Sequence, residues 1–453
     1  MSQATPPSPD APRVAYLTGE YPRATDTFVQ REVAALRELG LEVFTFSARA
    51  TDPSHHVGPE QVAEAAATFA LVSAAKNPVA LLGAHARRLL ASPGRYARGF
   101  ATAWGLRWKG LAGAAYACFY FLEAGVLADQ LARRKVTHLH NHFGNSSCSV
   151  AATASAISGV PFSFTLHGPA IFFEPYHWAL PEKIARARFV ACISHFCRSQ
   201  AMFLSAREHW GKLQIVHCGV RPERYTPVEH AEAGVRGDGT IRLLFVGRLA
   251  AVKGLPVLLE AFGELPENFH LEVVGDGEDR AGAEAAAAAL PGGAGGRVTF
   301  SGYRSQDGVA EAFARSDAFV LPSFAEGVPV VLMEALASGV PAVATAVAGV
   351  GELVEDGRSG RVVPPGDPAA LGAALRELGA DAELRASYGR RGRQKVEDEF
   401  SVLPQARRLA ARIRGEELAP RPQSEPPRAD APGDGPAPGT PGPHGTPEPA
   451  TPR

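Results

Sequence analysis

The sequence predicts an α/β protein of two Rossmann-like, doubly wound domains facing across a cleft, and three observations carry that expectation. Short apolar runs alternate with helix-length segments in two successive series, the pattern of parallel strands covered on both faces by crossover helices. A polar stretch, "YTPVEHAEAGVRGDGT" at 225–240, separates the two series. The chain has 453 residues, enough for two core-bearing domains.

The first domain is expected over 13–225, after a polar, Pro-rich segment at 1–12 that is expected to be disordered. "RVAYLT" from Arg13 reads as a buried strand. The helix after it puts Val29, Val33, Leu36 and Leu39 on one face, with Thr27 and Gln30 as a capping box and Gly40 as the stop. "EVFTFSA", "KVTHLH", "PFSFTLH", "RFVACIS" and "KLQIVH" supply further strands. Between Pro78 and Arg134 lies an insertion-like helical region. There, apolar side chains stand beside Arg87, Arg88, Arg95, Arg98, Arg107 and Lys109. Two readings fit it equally: core helices with a solvated basic face, or a surface that docks on an anionic membrane. Its most apolar window, from Gly110, carries Glu123 and ends at Asp129, too interrupted for a spanning helix.

The second domain is expected over 226–396, with strands at "IRLLFVG", "HLEVVG", "RVTFSG", "DAFVLPS", "PAVATA" and "RVVPPG". A last helix follows at 397–414. From 415 to 453 proline, glycine and charge replace apolar residues, so this tail is expected to be disordered.

A formal net charge of -1 argues against nucleic acid as a bulk electrostatic partner. Five scattered cysteines without CxxC spacing read as free thiols of a reducing compartment. The N-terminus has no charged and then apolar segment of the secretory kind, so the location expected is cytoplasmic.

The stretch "SFAEGVPVVLMEALASGVP" at 323–341 carries the most chemistry. Glu326 and Gly327 fall in the loop at a strand's carboxyl end, where open α/β sheets bind ligands. Pro329 suits the first position of the helix that follows, and Gly339 suits its stop. That helix's N-terminus can cradle a diphosphate. Glu334, in the second turn, either decorates a solvated face or reaches back to accept hydrogen bonds from the vicinal diol of a ribose. In "FVGRLAAVKG", Gly247 and Arg248 follow a strand and Lys253 precedes the next helix. These cations either lie exposed or neutralise a leaving nucleoside diphosphate.

"GRLAAVKG" together with "LPSFAEGVPVVLMEALASGVPAVAT" resembles the nucleotide-sugar domain of family 4 retaining glycosyltransferases of GT-B architecture, Glu326 and Glu334 matching the E-x7-E motif. "YPRATDTFVQREVAAL", "HNHFG" and "FTLHG" are similar to members acting in bacterial exopolysaccharide and capsule assembly, and the likeness runs from about Val14 to Arg414. It implies sugar transfer with retention from a nucleoside diphosphate sugar, with no cofactor and no required metal. It implies catalytic roles for Glu326, at the donor sugar, and for His167, approaching the reacting sugar from the opposite domain. The diphosphate would be bound by Arg248 and Lys253 beside Gly247, and the ribose by Glu334. Gly327, Val328, Pro329 and Val330 would lie close to sugar and phosphate, while Gly19 would line the cleft. It further implies that the last helix crosses back onto the N-terminal domain. A lipid-linked glycan acceptor would bring the protein to the inner face of the cell membrane. Arg221 departs from the pattern, which has an acidic residue after Gly-Val.

Three motifs compete for attention. His138, His140 and His142 share one strand face as metal ligands would, but no second cluster is in sight, and His142 reads better as an acceptor-side cleft residue. "VGDGED" around Asp276 and "GVGELVEDG" around Gly349 and Gly351 read as strand-to-helix turns. Against the transferase stand an inactive homologue serving as a binding subunit and a GT-B nucleotide-sugar epimerase. His167 and the paired glutamates weigh against the epimerase, and Glu326, Glu334, Arg248 and Lys253 weigh against the inactive homologue.

Overall fold

The computed structural model describes residues 12–23, 26–53, 56, 58–227 and 239–418. The expectations for 1–11, for the centre of the interdomain stretch and for the tail beyond 418 lie outside the described residues. Seven parallel strands form the first sheet: β1 (Arg13–Glu20), β2 (Glu42–Arg49), β3 (Phe69–Ala70), β4 (His138–His142), β5 (Phe162–Leu166), β6 (Val190–Cys192) and β7 (Leu213–Ile215). Their order is β3-β2-β1-β4-β5-β6-β7. Reversal of winding at β1 and β4 puts a topological switch point between them, where such sheets hold ligands.

The second sheet comprises β8 (Ile241–Val246), β9 (Phe269–Val274), β10 (Val298–Gly302), β11 (Ala318–Leu321), β12 (Ala342–Thr345) and β13 (Gly360–Val363), in the order β10-β9-β8-β11-β12-β13. Its switch point falls between β8 and β11, the strands that lead into the Arg248 and Glu326 loops. There Leu243 and Leu244 of β8 register with Ala318 and Phe319 of β11. Both domains belong to one compact unit, and Ile193 of the first and Val328 of the second share one apolar cluster.

Three elements differ from expectation. Thr27 is the first residue of the helix Thr27–Glu38 and Asp26 its cap, with no side-chain capping bond. Gln30 instead donates to the Arg23 carbonyl at 2.9 Å, so no capping box forms. Pro329 caps the helix Val330–Ala337 from outside it, one residue earlier than expected. β3 escaped notice because two residues carry no period.

The region from Pro78 forms helices Pro78–Ala91, Pro93–Gly105 and Leu111–Arg133, which pack against one another and against the helix Ser146–Ser158. The 23-residue helix is long and apolar enough to cross a membrane by length and composition alone, a test that the core helix of a soluble protein also passes. Half of its apolar window is buried against the domain, Glu123 and Asp129 included. Of the six cations in this region, Arg87 and Arg88 pair with Asp129.

The helix Val402–Arg414 lies on the Thr27–Glu38 helix, burying Val402, Ala406, Leu409, Ala410 and Ile413 with Val29, Val33 and Leu36. Its entry is fixed by backbone bonds from Val220 to Phe400 and from Val402 to Val220. A Cβ on Gly219 would stand 2.5 Å from the Val402 Cα, so the approach requires glycine there.

Candidate active site

The loop from β11 to the helix Val330–Ala337 is held from several sides. Phe324 N–H donates to the Val252 carbonyl at 2.8 Å. Gly254 has φ +64°, and a Cβ there would lie 2.1 Å from the Pro322 carbonyl oxygen. Only glycine allows the Lys253 turn to close on this loop. Lys253 Nζ donates to Glu326 Oε1 at 2.6 Å, and Ser323 Oγ donates to the same oxygen at 2.7 Å. Glu326 is buried and Lys253 half-buried, so neither is a surface-loop residue. Arg248 is exposed, and Gly247 keeps ordinary contact with Phe245.

The same loop touches the opposite domain. A Cβ on Gly327 would stand 2.1 Å from the His167 carbonyl oxygen, and one on Gly168 would stand 3.2 Å from Gly327 Cα. Gly349 N–H donates to the Gly327 carbonyl at 3.1 Å. Nearby, Glu352 accepts the His195 and Phe196 backbone N–H groups at 2.7 and 2.8 Å, capping an N-terminal-domain helix, His195–Phe203, from across the cleft.

Glu334 is not on a solvated face. Arg31 Nη2, on the N-terminal domain's first helix, donates to Glu334 Oε1 at 2.6 Å, with side-chain exposures of 8% and 12%. The same nitrogen lies 3.3 Å from Gln306 Oε1 and 3.4 Å from the Tyr225 hydroxyl. Burial and then Glu334 push the Tyr225 hydroxyl above its ordinary pKa.

His167 is half-buried, with its ring bonded to neighbours in its own domain. Its Nε2 lies 2.8 Å from His142 Nδ1 and its Nδ1 lies 3.5 Å from Cys218 Sγ. His142 Nε2 lies 3.1 Å from Glu32 Oε1, which also accepts from the Tyr16 hydroxyl. Where Glu32 accepts from His142 Nε2–H, the other roles follow: His167 Nε2–H donates to His142 Nδ1, and the Cys218 thiol donates to His167 Nδ1. Burial, then His142, holds His167 well below the ordinary imidazole pKa, and burial, then Glu32, raises the Cys218 thiol. Phe28 and Phe143 close the ring in at 4.8 and 4.7 Å. The main-chain carbonyl of His167 also faces the Gly327 loop. Gly19, at the end of β1, has open space where a Cβ would be.

Glu32, His140 and His142 bring donor atoms within 4.8 Å of one another, a second-cluster partner that strand spacing could not reveal. His140 already shares its nitrogens with Ser163 at 2.7 Å and Thr165 at 2.9 Å. His138 bonds to Ser163 at 2.7 Å, and burial, then Arg188, pulls its pKa down to about 3. Each imidazole is thus engaged in side-chain bonds that an ion would have to break. His142 joins His167, not an open acceptor surface.

Residues 229–395 match the family model described as glycosyl transferases group 1. This segment is therefore similar to the group 1 glycosyl transferases. Over 204 residues the chain is 34% identical to the D-inositol 3-phosphate glycosyltransferase of Streptomyces avermitilis, covering 41% of this chain and 43% of the other. It is 32% identical over 208 residues to the amylovoran biosynthesis glycosyltransferase of Erwinia amylovora, covering 44% and 50%. The chain spans about half the length of the first curated relatives it matches, 43% to 55%. Among solved structures, sucrose-phosphate synthase from Thermosynechococcus elongatus has a TM-score of 0.67 at 20% identity, over 89% of this chain and 98% of that one. Anabaena HepE in complex with UDP-glucose has a TM-score of 0.66 at 16% identity, over 89% and 99%. These likenesses give the fold: GT-B, two Rossmann-like domains. The matched segment contains Arg248, Lys253, Glu326 and Glu334, whereas Arg31, Glu32, His142 and His167 come from outside it.

Proposed function

We propose that the protein is a retaining glycosyltransferase that moves a sugar from a nucleoside diphosphate donor to a hydroxyl acceptor in the synthesis of a cell-surface glycan. The observation that carries this reading is the Lys253–Glu326–Ser323 cluster at the carboxyl edge of β11, facing the His167–Gly168 loop of the other domain. Arg248, Lys253 and the N-terminus of the helix Val330–Ala337 supply the positive potential that a leaving diphosphate needs as charge develops at the anomeric carbon. That potential is the role a divalent ion serves elsewhere, so the transfer requires no metal. Glu326 accepts from the sugar hydroxyls once Lys253 turns to the phosphate, and Glu334 exchanges Arg31 for the ribose diol. Contact of the two loops excludes water and limits donor hydrolysis.

The donor class draws support from the HepE complex with UDP-glucose, and the acceptor class from relatives named for exopolysaccharide assembly. A lipid-linked glycan at the membrane surface is the acceptor that suits the exposed Leu82, Leu90, Leu111 and Phe119 on the N-terminal helices. The test is a thermal-shift screen of nucleoside diphosphates followed by transfer from the matching labelled sugar donor. A diphosphate that binds the folded state raises Tm. Wild-type protein that binds none of them and transfers nothing overturns the reading.

A further inference from the structure

Away from the cleft, the helices Pro93–Gly105, Ser146–Ser158 and Leu180–Arg186 enclose an open pocket of about 460 Å³. Arg95, Arg98 and Arg186 line it with the hydroxyl residues Thr102 and Ser155, and no carboxylate is among its lining residues. Arg95 Nη1 donates to the Ser158 carbonyl at 3.2 Å and Arg186 Nη1 to the Glu182 carbonyl at 3.1 Å. Among the described residues none of the three arginines makes an ion pair, in contrast to Arg87 and Arg88, which share Asp129. Gly159, with φ +81°, allows the Arg95 guanidinium its position, since a Cβ would stand 2.7 Å from Arg95 Cζ. Three arginines lining one pocket without a counter-charge suit a phosphate, whose tetrahedrally disposed oxygens accept several charge-assisted N–H bonds.

The Pro93–Gly105 helix says where that phosphate comes from. At about 100° per residue, Arg95, Arg98 and Thr102 fall on one edge of its exposed face and Phe100 and Trp104 on the other. Exposed Ala97 and Ala101 lie between them. Phe100 and Trp104 stack on each other at 6.1 Å and remain 46% and 40% exposed, and Arg107 covers the Trp104 ring at 4.1 Å. Stacked aromatics beside basic side chains are what a helix lying in a headgroup layer presents.

We propose that this pocket binds the phosphate of an anionic membrane lipid, with Phe100 and Trp104 seated at the boundary between headgroups and acyl chains. The inference deepens the membrane-contact part of the proposed function and is independent of the transfer chemistry. The test is flotation of the full chain with phosphatidylcholine vesicles and with vesicles also containing phosphatidylglycerol, at about 0.15 M ionic strength. Arg95→Gln/Arg98→Gln/Arg186→Gln should bind the anionic vesicles at least tenfold more weakly, with unchanged circular dichroism and Tm. Arg358→Gln/Arg390→Gln/Arg391→Gln, which removes the same charge from the other domain, should bind like wild type. Equal weakening by both triple variants, or none by the first, overturns the pocket while leaving membrane contact standing. Wild-type protein that ignores anionic vesicles overturns both. Soluble glycerol 1-phosphate bound as tightly as the vesicles overturns the lipid source. Donor turnover on a soluble acceptor is unaffected in every arm, which separates this failure from that of the transferase reading.

Discussion

Arg31 and Glu334 stand 303 residues apart in sequence and 2.6 Å apart in space, joining the N-terminal domain's first helix to the helix behind the Glu326 loop. Both are largely buried, so removing one strands the charge of the other. Arg31→Ala and Glu334→Ala should each cost about 3 kcal/mol. The double variant should cost clearly less than their sum, because it leaves neither charge unpaired. Urea denaturation of the four proteins measures the coupling, and simple additivity would refute the pairing.

Lys253 and Glu326 form the second such pair, inside the second domain. Lys253→Ala should reduce transfer by about two or more orders of magnitude, as loss of a preorganised charge stabiliser does. It should also lower Tm, because Glu326 then keeps only Ser323 as its charged oxygen's partner among those described. Full turnover by Lys253→Ala/Glu326→Ala would remove the cluster from the mechanism.

Gly327→Ala tests contact of the loops. The added methyl would meet the His167 carbonyl, which is main chain and cannot swing away. Transfer should fall by about a hundredfold, the scale expected when reacting groups are displaced by an ångström. Nucleoside diphosphate binding, monitored by thermal shift, should persist. Wild-type turnover in this variant would show that transfer does not need the loops in contact.

Burial, opposed by Arg49, raises the Glu123 carboxyl from its ordinary 4.5 to about 7. Its folded-state pKa lies above the unfolded one, so the folded state holds the proton more tightly and stability falls as pH rises from about 4.5 to about 7. The loss is at most about 3 kcal/mol. Glu123→Gln should come nearest to wild type near pH 4 and exceed it near pH 8 in urea denaturation. Identical pH profiles for the two proteins would show that Glu123 does not titrate this way.

The Val402–Arg414 helix buries five apolar side chains on the N-terminal domain. A chain ending at 400 should melt well below one ending at 418, at about 1 kcal/mol or more for each lost side chain. Equal melting temperatures would mean that the crossing helix adds no stability.

The alternation of apolar runs and helical segments determined both parallel sheets, because burial on two faces writes a strand as a continuous apolar run whatever its neighbours. The positions of Glu326 and Gly327 were legible for the same local reason: they follow a strand end, where spacing and turn chemistry act within a few residues. Two-residue β3 left no such period, and a polar strand such as His138–His142 concealed how fully it is buried. Only the tertiary structure decided which charges meet. Arg31 with Glu334, Glu32 with His142, and Glu352 with the helix at His195 are pairs more than 100 residues apart. A side chain's own sequence context sets its chemistry and the face it occupies. Its partner is set by how two sheets close on each other, and no local period records that distance.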